Sequence, residues 1–113
     1  LANLKSRDIT PLKELNSNDT ESYHSWSSNG RWVVFSSRRG NGLYTLPFIA
    51  YIDKSGKAHK PFLLPQKEKN YYTYLMKSYN IPEFTTGKIK INQYETSKVA
   101  KRDKGTDLKF SYE

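Results

Sequence analysis

The chain has 113 residues and a formal net charge of +8 from 19 Lys/Arg against 11 Asp/Glu, with nine tyrosines, two tryptophans and no cysteine. That length holds one domain with a modest core. The absence of cysteine excludes disulfides, thiolate nucleophiles and Cys-based metal sites, and no run approaches the apolar length of a membrane-spanning helix.

In chain order, residues 1–21 divide into a short strand-like run, Asp8 to Leu15, and a polar connection, Asn16 to Glu21. A denser pattern begins at Ser22. Ser22 to Ser27 reads as a first strand, and Asn29-Gly30 as a tight hairpin turn, since both residue types tolerate positive φ. Arg31 to Ser37 is a second strand with apolar residues on both faces, Trp32 and Val34 on one and Val33 and Phe35 on the other. Leu46 to Ile52 repeats this, with Phe48, Ala50 and Ile52 opposite Ile49 and Tyr51. Asp53 to Lys57 is the next turn, Lys60 to Leu64 a fourth strand, and Pro65 its end. Two neighbouring strands with two apolar faces require cover on both sides.

Beyond the fourth strand the periodicity changes. Tyr71, Tyr72, Leu75, Met76 and Tyr79 share one face of a helix predicted from about Asn70 to Tyr79, capped by Asn70 and stopped at Asn80-Ile81-Pro82. Its tyrosine stripe is read as a core-facing surface in preference to a platform for sugars or bases. Thr86 to Tyr94 alternates as a half-exposed strand, and Leu108 to Tyr112 as a last short one. The polar stretch between them is expected to be mobile. The division is therefore 1–21, 22–66, 67–94 with a helix and a short strand packing on the preceding sheet, and a polar tail at 95–113. The fold class is all-β, mainly antiparallel: one four-stranded meander with a short C-terminal α-helix and an irregular tail.

The segment Trp26-Ser27-Ser28-Asn29-Gly30-Arg31, followed by the apolar strand and Ser37-Arg38-Arg39, resembles a TolB-type, WD-like β-propeller repeat. The family's strand end is Trp-Ser-Pro-Asp-Gly-Lys/Arg, so Ser28 and Asn29 depart from it, although Asn suits such a turn as well as Asp does. The likeness covers Ser22 to about Gln66. It implies a propeller blade whose first strand borders the central channel, with the run at Asp8 to Leu15 a remnant of the preceding blade. It also implies further blades, because a ring needs several such sheets; the chain, which starts at Leu1, is expected to be the C-terminal portion of a longer envelope protein. Localisation in the periplasm, a non-catalytic scaffold role and recognition of a protein or cell-envelope partner all follow from the resemblance alone. The candidate contacts are Tyr23, His24 and Trp26 on the channel-facing strand, with Arg38 and Arg39 on the loop after the second strand, where the family carries a recurrent structural arginine. The uncovered blade face makes self-association a further expectation.

Chemistry is sparse. His24 and His59 lack the spacing of a metal pair, no Gly-x-Ser-x-Gly elbow or phosphate loop is present, and Asp53, Glu68 and Glu83 are isolated among lysines. No enzyme activity, metal or cofactor is expected, the alternative being the propeller portion of an exported peptidase or glycan-processing enzyme. Between Arg31 and Lys90 eleven Lys/Arg face three acids, which accounts for the whole net charge. A basic nucleic-acid-binding domain is thus a second alternative. With no recognition helix or nucleic-acid motif beside the lysines, a solvated face is the preferred reading.

Overall fold

The computed structural model describes residues 1–102. It contains a four-stranded antiparallel meander in the order β1-β2-β3-β4: β1 Glu21–Trp26, β2 Trp32–Ser37, β3 Leu46–Tyr51 and β4 Phe62–Leu63. Each strand falls within two residues of its expected start, apart from a shorter β4. The register sets the faces. Val33 lies opposite Ala50, Phe35 opposite Phe48 and Ser37 opposite Leu46, while Trp32 lies opposite Tyr51 and Val34 opposite Ile49.

One face is covered and the other is covered in part, and the covering differs from the expectation. On the face of Val33 and Phe35, both wholly buried, the core continues through Leu46, Phe48, Ala50, Ile52 and Ala58 and is closed by Leu15. Leu12, Tyr72 and Leu75 pack at its margin. Leu15 comes from a single 3-10 turn at Lys13–Leu15, in place of the strand expected over Asp8 to Leu15; the one trace of strand pairing there is a bridge between Ala2 and Ile9. Pro11 lacks the N–H that a continued ladder needs, and Leu12 begins a tight turn closed by the Leu15 amide on its carbonyl at 3.0 Å.

The helix predicted over Asn70 to Tyr79 does not form. Isolated turns stand there, closed by Tyr71 N–H to the Glu68 carbonyl and Thr73 N–H to the Asn70 carbonyl. Clustered tyrosines and a threonine are poor helix formers, and their hydroxyls find tertiary partners instead. The Tyr72 hydroxyl donates to the Leu64 carbonyl at 2.6 Å, and those of Tyr71 and Tyr79 meet at 2.7 Å. That bond between the two hydroxyls, and after it burial, pushes the Tyr79 phenol up to about 12. The expected gathering of Tyr72 and Leu75 onto the sheet is present, but Met76 is 80% exposed.

On the other face, Ser36 is wholly buried and its hydroxyl is directed at the carbonyls of Tyr79 and Asn80. The Tyr79 amide donates to Thr45 at 2.8 Å, and the Thr45 hydroxyl donates back to the Tyr79 carbonyl at 2.9 Å. These bonds clamp the chain over the β2/β3 end of the sheet. Further along this face lies an open groove of about 410 Å³ lined by Trp32, Ile49, Phe62, Leu64, Pro65 and Phe84.

Two more expectations are corrected. Thr86 to Tyr94 makes no strand among the described residues, and Ile89 and Ile91 are 67% and 71% exposed. The helix occurs further on, at α1 Gln93–Ala100, running from the end of the expected strand into the stretch read as mobile; the Asn92 side chain caps it by accepting from the Tyr94 amide at 2.9 Å. Its Tyr94 and Val99 are exposed. The strand expected at Leu108 to Tyr112 lies outside the described residues. A radius of gyration of 18.0 Å, against roughly 13 Å for a compact domain of this length, reflects chain that leaves the packed sheet.

The packing predicts that Phe35→Ala, which empties a wholly buried ring site between His24, Phe48 and Arg39, lowers unfolding stability by about 3–5 kcal/mol in urea titrations.

Candidate functional site

The first hairpin turn is built from side chains as much as from backbone. The Ser27 N–H donates to the Trp32 carbonyl at 2.9 Å, and the Gly30 N–H returns to the Ser27 carbonyl at 2.8 Å. The Ser27 hydroxyl donates to Asn29 Oδ1 at 2.7 Å and accepts from the Trp32 amide at 2.9 Å, while Asn29 Oδ1 also accepts from the Arg31 amide at 3.0 Å. Only Gly30, at φ +64°, is left-handed, so the turn differs from the two-residue form in which Asn29 would share that geometry. Asn29 acts through its side-chain oxygen.

The candidate contact residues precede this turn on β1. Ser22 pairs with Ser36 and Ser25 with Val34, so Tyr23 and His24 together oppose Phe35 alone. This is a β-bulge, and Tyr23 occupies it at φ +54°, a left-handed conformation that disfavours side chains with a Cβ. The bulge turns Tyr23 outward to 56% exposure and lets the His24 ring stack on Phe35, centroids 5.3 Å apart. Trp26 is 42% exposed and, opposite Val33, shares the face of Phe35. Tyr23, His24 and Trp26 thus form one exposed aromatic run along an edge strand of the sheet. Arg38 is exposed beside Thr20, whose carbonyl accepts its amide at 3.2 Å.

Arg39 is placed differently. Its guanidinium lies over the Phe35 ring at 5.2 Å and the Phe48 ring at 4.9 Å, donates to Glu21 Oε1 at 2.9 Å and to Ser37 Oγ at 3.0 Å, and reaches the Leu15 carbonyl. With 17% of its side chain exposed, it is engaged by the protein's own groups.

Glu21, absent from the sequence-derived candidates, is the acidic half of this knot. Burial pushes its carboxyl up, but hydrogen bonds from the Ser17 hydroxyl and amide, from Arg39 and from Ser37 outweigh that and hold it below its ordinary 4.5. The signal that would have found it is the register, which sets Glu21 across from Ser37, two residues before Arg39. His59 sits by the second turn, 3.7 Å from Asp53. Asp53 Oδ1 accepts from the Ser55 hydroxyl at 2.6 Å and the Lys57 amide at 3.0 Å, which keeps its carboxyl below the usual 3.8. Among the described residues no group of three or more His, Asp or Glu side chains converges as a metal site.

No family model matches the chain, and no curated protein or solved structure matches it.

Two outcomes follow from this geometry. Because the bulge demands a left-handed residue, Tyr23→Gly is expected to be about 1 kcal/mol more stable than Tyr23→Ala, whereas equal stabilities in denaturant would argue against the bulge. Glu21 has a lowered folded-state pKa, so its stabilisation is fully present above the ordinary carboxylate value and is lost as pH falls through the folded one. Thermal denaturation between pH 7 and pH 2 should therefore show an acid-side decline that is shallower in Glu21→Gln, itself about 1–3 kcal/mol less stable at neutral pH because Arg39 loses its charged acceptor.

Proposed function

We propose that the chain is a non-catalytic binding and scaffold unit, the C-terminal part of a periplasmic TolB-like β-propeller that recognises a protein or cell-envelope partner through β1. The observation that carries this reading is the bulge at Tyr23. A bulky residue is held in a costly backbone conformation, and the return on that cost is an exposed side chain on an otherwise regular edge. Its neighbours fit the same purpose: Trp26 supplies a large, rigid, half-exposed ring, and tyrosine and tryptophan are the residue types that most often anchor protein interfaces. The scaffold half of the reading is supported by the meander itself, in which four sequential strands step outward from β1 as the blades of a propeller do.

In this reading Tyr23 and Trp26 are the anchors, His24 lies flat between them and the core as a stacked support, and Arg38 contributes a mobile rim charge. Arg39 serves the partner only indirectly, by holding Glu21 and hence the start of β1.

The test is site-specific photo-crosslinking in a Gram-negative envelope fraction. A photoreactive phenylalanine analogue at Tyr23 or Trp26 is expected to yield a discrete higher-mass adduct that is missing when the analogue replaces Lys54 in the turn between β3 and β4. Trp26→Ala should weaken the purified complex by roughly thirtyfold, the equivalent of about 2 kcal/mol. Identical products from all three positions, or from none, would remove β1 as the recognition edge.

A further inference from the structure

We propose that the sheet face bearing Trp32, together with the chain that leaves it at Phe84, is a peripheral docking surface for an anionic lipid bilayer. The groove on this face is lined wholly by apolar and aromatic side chains and stands open to solvent, with Phe62 at 48% and Phe84 at 39% exposure on its rim. Exposed apolar surface of this kind is unfavourable in water by about 25 cal/mol per Å² and marks an interaction site. Four residues beyond Phe84 comes Lys88-Ile89-Lys90-Ile91, in which each isoleucine is about two-thirds or more exposed and each is preceded by a lysine. On the other side of Phe84 the same pairing recurs as Met76-Lys77, the methionine 80% exposed.

The charge selects the occupant. Among the described residues the only ion pairs are Arg39–Glu21 and His59–Asp53, so Lys77, Lys88 and Lys90 have no carboxylate partner there. A bilayer interface satisfies both halves of this chemistry: aliphatic and aromatic side chains enter the acyl boundary, and lysine stems run alongside while their ammonium groups stay at the headgroups. A second copy of the chain would bury the apolar half but would bring two strongly basic surfaces together. A nucleic acid would satisfy the lysines, yet phosphates and base edges give exposed isoleucines nothing to bury against. Neither signal suffices alone, since weak apolar insertion and a few basic residues hold a surface protein only in combination. The inference is independent of the β1 reading, because Trp26 and His24 lie on the Phe35 face and the groove on the opposite one.

The experiment is vesicle co-sedimentation of the full chain, read alongside tryptophan emission in a Trp26→Phe background that leaves Trp32 as the sole tryptophan. Vesicles of phosphatidylcholine with about 30% phosphatidylglycerol should retain the protein and shift Trp32 emission to the blue, while phosphatidylcholine alone should do neither. Lys88→Gln and Lys90→Gln are each expected to weaken retention roughly fivefold, the fold-change of about 1 kcal/mol per basic residue at an anionic surface. The double variant Ile89→Ser and Ile91→Ser should lower it at least as much. All four side chains are exposed and leave the sheet intact, which near-ultraviolet circular dichroism verifies. Equal retention by both vesicle types, no retention by anionic vesicles, or retention unmoved by the lysine substitutions would overturn the proposal. So would a concentration-dependent dimer that Phe62→Ser dissolves without any vesicle binding.

Discussion

The Arg39 guanidinium is where four parts of the chain are tied together. It rests on Phe35 of β2 and Phe48 of β3, bonds Glu21 at the start of β1, and meets the Leu15 carbonyl of the N-terminal segment. A cation over aromatic rings is favourable, more so when partly desolvated, and a charge held at 17% exposure also needs acceptors. Glu21, Ser37 and the Leu15 carbonyl supply them, and this arrangement carries Leu15 into the core. Were Arg39 free to leave, Leu15 would lose its tether and Glu21 would be left charged, at 10% exposure, without its cation.

At the other end of the sheet, two turns are joined in the same economical way. The Arg31 side chain donates to the Asp53 carbonyl at 2.7 Å, and the Ile52 amide donates to the Arg31 carbonyl at 2.8 Å. Each turn then organises itself around one side-chain oxygen, Asn29 Oδ1 in the first and Asp53 Oδ1 in the second, followed by a left-handed glycine, Gly30 or Gly56.

The sheet was legible in the sequence because its signals are local. Trp32 to Phe35 and Phe48 to Ile52 declare their faces by alternation, and Gly30, Gly56 and Pro65 mark where strands stop. What escaped was set by partners far along the chain. The period of Tyr71, Tyr72 and Leu75 indicated which side chains meet the sheet, but the Leu64 carbonyl and the Tyr79 hydroxyl, which hold the segment in turns, lie outside any local window. Ile89 and Ile91 alternate like a strand, yet a strand needs an edge to join. The helix at Gln93–Ala100 rests on the Asn92 cap, a short signal inside a polar stretch. At the candidate site, Tyr23 and Trp26 are exposed on β1. The left-handed Tyr23 has no sequence marker, since a left-handed bulge position is usually taken by glycine, and Arg39 reveals its attachment to Glu21 only once the register is known.

The bulge in β1 has a counterpart at the opposite border of the sheet, where Pro61 and Pro65 bracket the two residues of β4. An open strand border is a template on which a further chain can be laid down, amide by amide, and repeated addition of that kind is how cross-β fibres grow. A kinked backbone on one side and missing amide protons on the other interrupt that template at both ends of the meander. Both open borders of the meander therefore carry a feature that opposes the addition of a further strand.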